Sequence, residues 1–78
     1  MYHVYVLTLK NGDYYIGFAS NYKGRLTEHK SGNVKSTRKF LPLKLVTVIS
    51  FRDKNKALNF EKYLKTGSGI AFRKRHLI

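Results

Sequence analysis

Short apolar segments predict three strands along the chain. His3 to Leu9, HVYVLTL, and Tyr14 to Ala19, YYIGFA, are rich in β-branched and aromatic residues, and the turn sequence KNGD separates them. These two segments therefore predict a β-hairpin. Lys44 to Phe51, KLVTVISF, has the same character and predicts a third strand.

Three other segments carry the signals of helices. Tyr22 to Lys30 follows Asn21, which can cap a helix start, and Gly32 is a suitable stop. Lys54 to Lys65 follows Asp53 as a cap, and TGSG is expected to end it. Four apolar positions of that segment recur at helical spacing: Ala57, Leu58, Phe60 and Leu64. The final segment, IAFRKRHLI, predicts a strongly basic helix.

The rest of the chain connects these elements. Asn33 to Pro42, NVKSTRKFLP, has no apolar period and predicts a basic loop. The order ββαβαα predicts one α+β domain over residues 1–78, with a small three-stranded antiparallel sheet flanked by helices.

The length of the hairpin loop decides which side chains share a face, because side chains alternate along a strand. A two-residue loop pairs Thr8 with Tyr15 and puts Tyr5 and Tyr15 on opposite faces. A three-residue loop with left-handed Gly12 pairs Leu7 with Tyr15 and puts both tyrosines on one face. Both loops suit Asn-Gly. The second is favoured because the opposite face then gathers a plausible core: Val4, Val6, Ile16 and Phe18.

The charge of the chain limits the classes of partner that it is expected to bind. Sixteen Lys and Arg against four Asp and Glu give a formal net charge of +12, and the basic residues are spread along the whole sequence. Nucleic acid is the polyanion that fits best; solubility alone, an anionic membrane surface and ribosomal RNA are the alternatives.

Composition also limits chemistry and location. The chain has no cysteine, which excludes disulfides and thiolate metal sites. No apolar run approaches the roughly 20 residues of a membrane-spanning helix, and the N-terminus lacks the order of a signal peptide. We therefore expect a soluble, cytoplasmic protein.

Four motifs occur in a characteristic order: HVYVL, YYIGFA, GRLTEH and ALNFEKYLKTGSG. Together they resemble the small single-domain GIY-YIG endonucleases, relatives of the N-terminal nuclease domain of the bacterial excinuclease C subunit. The resemblance covers essentially the whole chain. The second family triplet is complete at Tyr15, Ile16 and Gly17, whereas the first is His3, Val4 and Tyr5, which keeps the tyrosine and loses the glycine.

The resemblance implies a set of catalytic residues. The family's two tyrosines match Tyr5 and Tyr15 and line one catalytic face. Its catalytic arginine matches Arg25, and a histidine found in several members matches His29. The glutamate that is the family's only protein ligand to a divalent metal matches Glu61. Two features of some members have no counterpart: a lysine after the second triplet, and an asparagine beyond the glutamate.

The chemistry of these residue types suits phosphodiester hydrolysis, which needs an activated water and neutralisation of charge in the transition state. A single carboxylate leaves most of a coordination shell to water and phosphate oxygens, which suits Mg²⁺ or Mn²⁺. The alternative for Glu61 is a partly exposed carboxylate bridging Lys62, Lys65 or Arg25. The planar guanidinium of Arg25 suits a phosphate, although it can also be an ordinary surface cation.

Three further side chains have open roles. His29 can act as a general base, bind a phosphate or stabilise the end of its helix. Tyr5 is the phenol that we expect to contact the attacking water, with its pKa lowered by a metal and by cations. Tyr15 can bind the scissile phosphate or orient the nucleophile, and the sequence does not assign which phenol takes the proton.

Two basic segments are expected to flank the site and bind nucleic acid. Their residues are Lys35, Ser36, Thr37, Arg38 and Lys39, followed by Arg73, Lys74 and Arg75. The hydroxyls of Ser36 and Thr37 can add phosphate contacts without reading sequence. Gly17 is expected to keep the surface shallow, so that a phosphate can approach closely. The alternative for the basic segments is solvated charge with no fixed partner.

The sequence therefore predicts a metal-dependent endonuclease acting on DNA, with flaps, junctions or damaged sites in repair or recombination as candidate substrates. The main alternative is a basic nucleic-acid-binding module that keeps the fold without turnover. An RNA-associated factor is the weaker third reading. We expect no membrane partner, and any selectivity beyond DNA structure would come from a recruiting protein.

Overall fold

A three-stranded antiparallel sheet and three helices make up the protein. The computed structural model describes residues 1–78 in full. The strands are β1 (Tyr2–Thr8), β2 (Tyr14–Ala19) and β3 (Lys44–Phe51), and the helices are α1 (Tyr22–Lys30), α2 (Lys54–Leu64) and α3 (Gly67–His76). This order, ββαβαα, confirms the predicted α+β class.

The central strand of the sheet is β1, in the order β2-β1-β3. In the hairpin, Tyr5 pairs with Gly17 and Leu7 pairs with Tyr15. The backbone N–H of Leu9 donates to the carbonyl of Asp13 at 2.8 Å, and Gly12 adopts a left-handed φ of 88°. The three-residue loop is therefore confirmed, and with it the shared face of the two tyrosines.

Each face of the sheet has its own core. Val4, Val6 and Ile16 pack with Ala57 and Leu64 of α2, and Phe18 and Phe72 lie against this cluster. On the other face Tyr5 and Leu7 pack with Leu43, and Tyr15 and Leu26 of α1 lie against them. Helices α2 and α3 thus cover one face, while α1 covers the face that carries the tyrosines.

Both predicted helix caps are present. The Asn21 side chain accepts a hydrogen bond from the Gly24 N–H at 3.1 Å, and Asp53 accepts from the N–H groups of Asn55 and Lys56 at 2.8 and 3.2 Å. These bonds satisfy backbone donors that a helix start otherwise leaves unpaired. The two helices accordingly begin where the sequence indicates.

The junction between α2 and α3 differs from the prediction. The GSG stretch forms the first turn of α3, whereas we expected it to end α2 as a loop. Thr66 caps α3 by accepting from the Gly69 N–H at 3.1 Å. A Cβ at Gly69 would collide with the backbone of Tyr63. The glycine therefore permits close contact between the two helices. In the sequence alone, a glycine at this position indicates the end of a helix.

The predicted basic loop is more ordered than its composition indicates. It contains a short 3₁₀ turn, Arg38–Phe40, and its ends are anchored by the buried side chains of Val34 and Leu43. The Lys10 N–H of the hairpin loop donates to the Phe40 carbonyl at 2.9 Å. The loop is thereby held beside the face of the sheet that carries the tyrosines. No helix has both the length and the apolar character needed to cross a membrane.

Candidate active site

Three rings meet on the α1 face of the sheet. The ring centroids of Tyr5 and Tyr15 are 6.4 Å apart, and that of His29 lies 5.7 Å from Tyr5 and 5.0 Å from Tyr15. The hairpin register supplies the two phenols, and the last turn of α1 supplies the imidazole. The structure thus brings together three of the five side chains that the sequence proposed for the site.

Gly17 creates the space for one of these rings. A Cβ at this position would collide with the Cζ and Oη atoms of Tyr5. The ring of Tyr5 therefore lies directly over the glycine. We expected that space to admit a phosphate, and this expectation is wrong for the structure as it stands, because the neighbouring phenol fills it.

A chain of hydrogen bonds runs inward from Tyr5. Its hydroxyl lies 3.0 Å from His29 Nε2, and His29 Nδ1 lies 2.8 Å from the hydroxyl of Thr37. His29 and Thr37 are completely buried. A neutral imidazole has one N–H and one lone pair, so one of its two neighbours donates to the ring and the other accepts from it. Both ring nitrogens of His29 are thereby satisfied within the protein.

The burial of this chain sets its protonation. Burial, reinforced by the positive charge of Arg25, lowers the pKa of His29. Burial and the adjacent Tyr15 raise the pKa of Tyr5; Arg25 lowers it and Glu61 raises it, both more weakly. At neutral pH the imidazole is therefore uncharged and the Tyr5 phenol is protonated. In the protein alone, the nearby cation does not bring the pKa of Tyr5 below its ordinary value, since desolvation outweighs it.

The two phenols differ in their access to solvent. Tyr5 is only 2% exposed, whereas Tyr15 is partly exposed. The expectation that Tyr5 contacts the attacking water does not fit this arrangement. Tyr15 is the phenol that a substrate can reach first.

Arg25 lies at the margin of the ring cluster. It precedes His29 by one helical turn, so both extend from the same side of α1. Its Nη1 donates to Glu28 Oε2 at 2.8 Å, and its side chain is 39% exposed. Partial burial lowers the pKa of Arg25, but Glu28 and Tyr5 together raise it above its ordinary value. The guanidinium is therefore charged and accessible, and an exposed ion pair of this kind is weak enough for a phosphate to replace.

Glu61 belongs to α2, in the helix layer on the other side of the sheet from the three rings. Its side chain is 18% exposed, and its ion-pair partner is Lys65, with Oε2 and Nζ 3.6 Å apart. The bridge to Lys65 that we considered is thus present, whereas Arg25 pairs with Glu28 instead. The negative charge of Glu61 nevertheless acts on the pKa of Tyr5, so the carboxylate lies within electrostatic range of the rings.

The donor set around Glu61 limits the kind of metal that it could hold. No group of three or more His, Asp or Glu side chains comes together anywhere in the structure. A cation at Glu61 would therefore take most of its ligands from water and from a phosphate. This donor set fits Mg²⁺ or Mn²⁺, which keep several waters when they bind to proteins.

The two basic segments are mostly on the surface. Lys35, Ser36, Arg38 and Lys39 of the loop are exposed, as are Lys74 and Arg75 of α3. Arg73 is half-buried, and its Nε is enclosed without a hydrogen-bond partner. The prediction that the Thr37 hydroxyl contacts a phosphate is wrong, because its side chain is buried against His29 and cannot reach the surface. Nothing in the local sequence indicated this contact, since it depends on how the loop folds against α1.

Comparisons with known proteins identify the family of the chain. Residues 1–73 match the family model of the GIY-YIG catalytic domain. A UPF0213 protein of Streptococcus pneumoniae serotype 4 is 41% identical over 64 residues, covering 81% of this chain and 65% of the relative, so the match spans just under two thirds of that protein. A UPF0213 protein of Halobacterium salinarum is 36% identical over 66 residues, covering 83% and 86% of the two chains.

A solved structure is also similar. The solution NMR structure of a UPF0213 protein from Bacillus halodurans aligns with a TM-score of 0.58 and 30% identity, covering 92% of this chain and 81% of that one. The match to the family model spans both tyrosines, the arginine and histidine of α1, and the glutamate of α2. The chain therefore belongs to the GIY-YIG family, whose domains are nuclease catalytic domains.

Proposed function

We propose that the protein is an endonuclease that hydrolyses phosphodiester bonds of DNA with the help of Mg²⁺ or Mn²⁺. The observation that carries this proposal is the meeting of Tyr5, Tyr15 and His29 on one sheet face, with the charges of Arg25 and Glu61 acting on the same phenol. The three rings come from β1, β2 and α1, and the two charges come from α1 and α2.

In the reaction, a water oxygen attacks phosphorus, one P–O ester bond breaks, the water loses a proton, and the leaving oxygen gains one to become a hydroxyl group. Tyr15, the accessible phenol, contacts the attacking water or the scissile phosphate. Arg25 exchanges Glu28 for a phosphate oxygen and neutralises the charge that grows in the transition state. A cation held at Glu61 would lower the pKa of a bound water and neutralise phosphate charge.

The buried pair behind Tyr15 has a supporting role. His29 is neutral and keeps a lone pair for hydrogen bonding, and Tyr5 lies against both His29 and Tyr15. In this proposal Tyr5 and His29 orient two groups of the site. One is the Tyr15 phenol, and the other is the group that accepts the proton of the attacking water. Thr37 fixes the imidazole ring from the other side.

DNA is the substrate that the family and the charge support, with RNA as the weaker candidate. The exposed cations Lys35, Arg38 and Lys39 provide phosphate contacts beside the site. Such contacts follow the backbone and carry no base readout, which favours recognition of DNA structure, such as a flap, a junction or a damaged site, in repair or recombination. Any further selectivity would come from a recruiting protein, and we place the activity in the cytoplasm.

A second candidate function is a binding module without turnover. Arg25 and Glu61 each already have an ion-pair partner, and Tyr5 is buried. If these contacts persist when DNA binds, the fold would hold nucleic acid without cutting it.

One assay separates the two candidates. Branched and linear DNA are incubated with the protein and Mg²⁺ or Mn²⁺ at low salt, and binding is measured separately in a chelator. For the endonuclease we expect cleavage by the natural protein, its loss in Glu61→Gln and Arg25→Ala, and retained cleavage in Asp13→Asn, which removes an exposed acid from the hairpin loop. Binding without cleavage across all DNA structures would establish the binding module instead.

A further inference from the structure

A groove lies between the end of α2 and one side of α3, apart from the ring cluster. Its volume is about 250 Å³. One tyrosine of α2 and five residues of α3 line it: Tyr63, Ser68, Ala71, Phe72, Arg75 and His76. The α3 residues recur three or four apart, so they form one continuous side of the helix.

Aromatic rings form one wall of the groove. The ring centroids of Tyr63 and Phe72 are 5.9 Å apart, and those of Phe72 and His76 are 4.8 Å apart. Phe72 also packs against the core cluster that contains Val4, Val6 and Leu64, which fixes its position. Tyr63 is 39% exposed, so part of its ring is available to a ligand.

The charge of the groove is positive. Arg75 lines it, and the chain's four acidic residues all lie outside the lining. Arg73 and Lys74 belong to the same last turn of α3. These side chains also offset the partial negative charge that a helix C-terminus carries. An anion with a flat apolar part would therefore match both the rings and the charge.

We propose that this groove binds an unpaired nucleotide of a DNA strand, with the base stacked on Tyr63 and a phosphate paired with Arg75. The ring of Phe72 is inclined at 65° to that of Tyr63, so the same base meets Phe72 edge-to-face. Base stacking on aromatic side chains beside a basic track is how proteins hold single-stranded nucleic acid. A volume of about 250 Å³ is below the range of roughly 300–1,000 Å³ for drug-sized ligands, which suits one base better than a larger cofactor.

This inference deepens the proposed function and rests on it for its biological meaning. A site for an unpaired nucleotide makes a strand with a single-stranded flap or gap the preferred substrate. Glu61 and Tyr63 are two residues apart on α2, so their side chains extend from different sides of the helix. Groove variants should therefore leave the candidate metal ligand in place.

A tryptophan probe tests the stacking directly. The chain has no tryptophan, so Tyr63→Trp introduces a single one at the groove. The probe ligand is a pentathymidylate oligonucleotide in a chelator, which prevents cleavage. We expect quenching of the tryptophan emission at saturation, and changes of the backbone amide NMR signals of Ser68, Ala71 and Arg75 in the natural protein. An unquenched tryptophan with unchanged groove signals overturns the proposal.

Matched variants test the energetics by fluorescence anisotropy. Tyr63→Ala should weaken pentathymidylate binding roughly 5- to 100-fold, because one stacking contact is lost. The control is Tyr14→Ala, since Tyr14 is similarly exposed, at 41%, and lies on β2 outside the groove. Arg75→Gln should likewise weaken binding more than Lys74→Gln, since only Arg75 lines the groove. Equal effects within each pair would contradict the inference.

Two further binding measurements test which ligand the groove prefers and distinguish the groove proposal from the endonuclease proposal. Thymidine monophosphate should bind at least tenfold more weakly than the pentamer, and equal affinity would contradict binding of a DNA strand. Glu61→Gln should bind the pentamer as the natural protein does. Cleavage without groove binding would overturn this inference and leave the endonuclease proposal supported. Groove binding without cleavage would support this inference and overturn the endonuclease proposal.

Discussion

The Tyr5 hydroxyl and His29 Nε2 lie 3.0 Å apart in the interior, with Thr37 closing the far side of the imidazole. Both ring nitrogens of His29 are therefore held by neutral hydroxyls, and neither is hydrogen-bonded to a carboxylate. This arrangement keeps the ring uncharged and fixed, and it makes Thr37 a positioning residue for the site.

Thr37→Val should lower the free energy of unfolding by about 1–3 kcal/mol, because the change leaves His29 Nδ1 buried without a partner while conserving volume. Urea unfolding measures this effect. Cleavage should fall in kcat with little change in KM, and Thr37→Ser should restore both quantities. Ser20→Ala, at an exposed serine outside both basic segments, is the control and should change neither.

Gly17→Ala should destabilise the protein by about 1–3 kcal/mol, because the added methyl group has to displace the ring of Tyr5. Gly67→Ala is the matched control, since no atom lies within 4 Å of the position its Cβ would take. That control should be neutral or slightly stabilising. Equal denaturation midpoints for the two variants would show that Tyr5 does not need the glycine.

The stability of the protein should depend on pH through His29. Its pKa is lowered in the folded state, so below the unfolded value of about 6.5 the unfolded chain binds more protons. The contribution of His29 is therefore fully present above that value and is lost as the pH falls through the unfolded pKa toward the lower folded one. Urea unfolding between about pH 5 and 8 should give a shallower pH slope for His29→Gln than for the natural protein, and equal slopes for the two proteins would contradict this assignment.

Lys65→Met should strengthen metal binding, because it frees the Glu61 carboxylate from its ion-pair partner. Calorimetric titration with Mn²⁺ measures the change, and Glu61→Gln should abolish the same signal. Lys62→Met is the control, since Lys62 is an exposed lysine of the same helix without an ion pair to Glu61. A Mn²⁺ affinity that is unaffected by Glu61→Gln would place the cation elsewhere.

The loop cations should determine the salt dependence of DNA binding. Each lost phosphate contact reduces the slope of log affinity against log salt by about 0.9. Arg38→Gln and Lys39→Gln should each lower the slope by about that amount for duplex DNA of any sequence. Lys54→Gln, at an exposed position on the first turn of α2, should leave it unchanged. Fluorescence anisotropy at several salt concentrations provides the measurement.

Local signals predicted most of the fold. The Asn-Gly turn suited two hairpin registers, and the apolar side chains that share a face with Val4 favoured the one that is observed. Both features lie within twenty residues of sequence. The caps Asn21 and Asp53 act on the residues that directly follow them. Such interactions join residues that are close in the sequence, so they can be predicted from the local sequence alone.

The errors arose where distant segments meet. Thr37 looks like a surface hydroxyl among cations, and only the packing of the loop on α1 buries it. Gly69 looks like a helix stop, but the close approach of two helices explains it. The protonation of Tyr5 depends on how completely its ring is enclosed, which no spacing in the sequence records.

The position of each phenol within the sheet has a consequence for motion. Tyr5 belongs to the central strand, whose backbone is paired on both sides, whereas Tyr15 belongs to an edge strand paired on one side. Amide hydrogens of β1 should therefore exchange with solvent more slowly than those of β2, since opening a central strand disrupts two ladders. The Tyr5 ring is thus attached to the strand that should open least, and Tyr15, the phenol that we propose meets the substrate, to a strand that should open more readily.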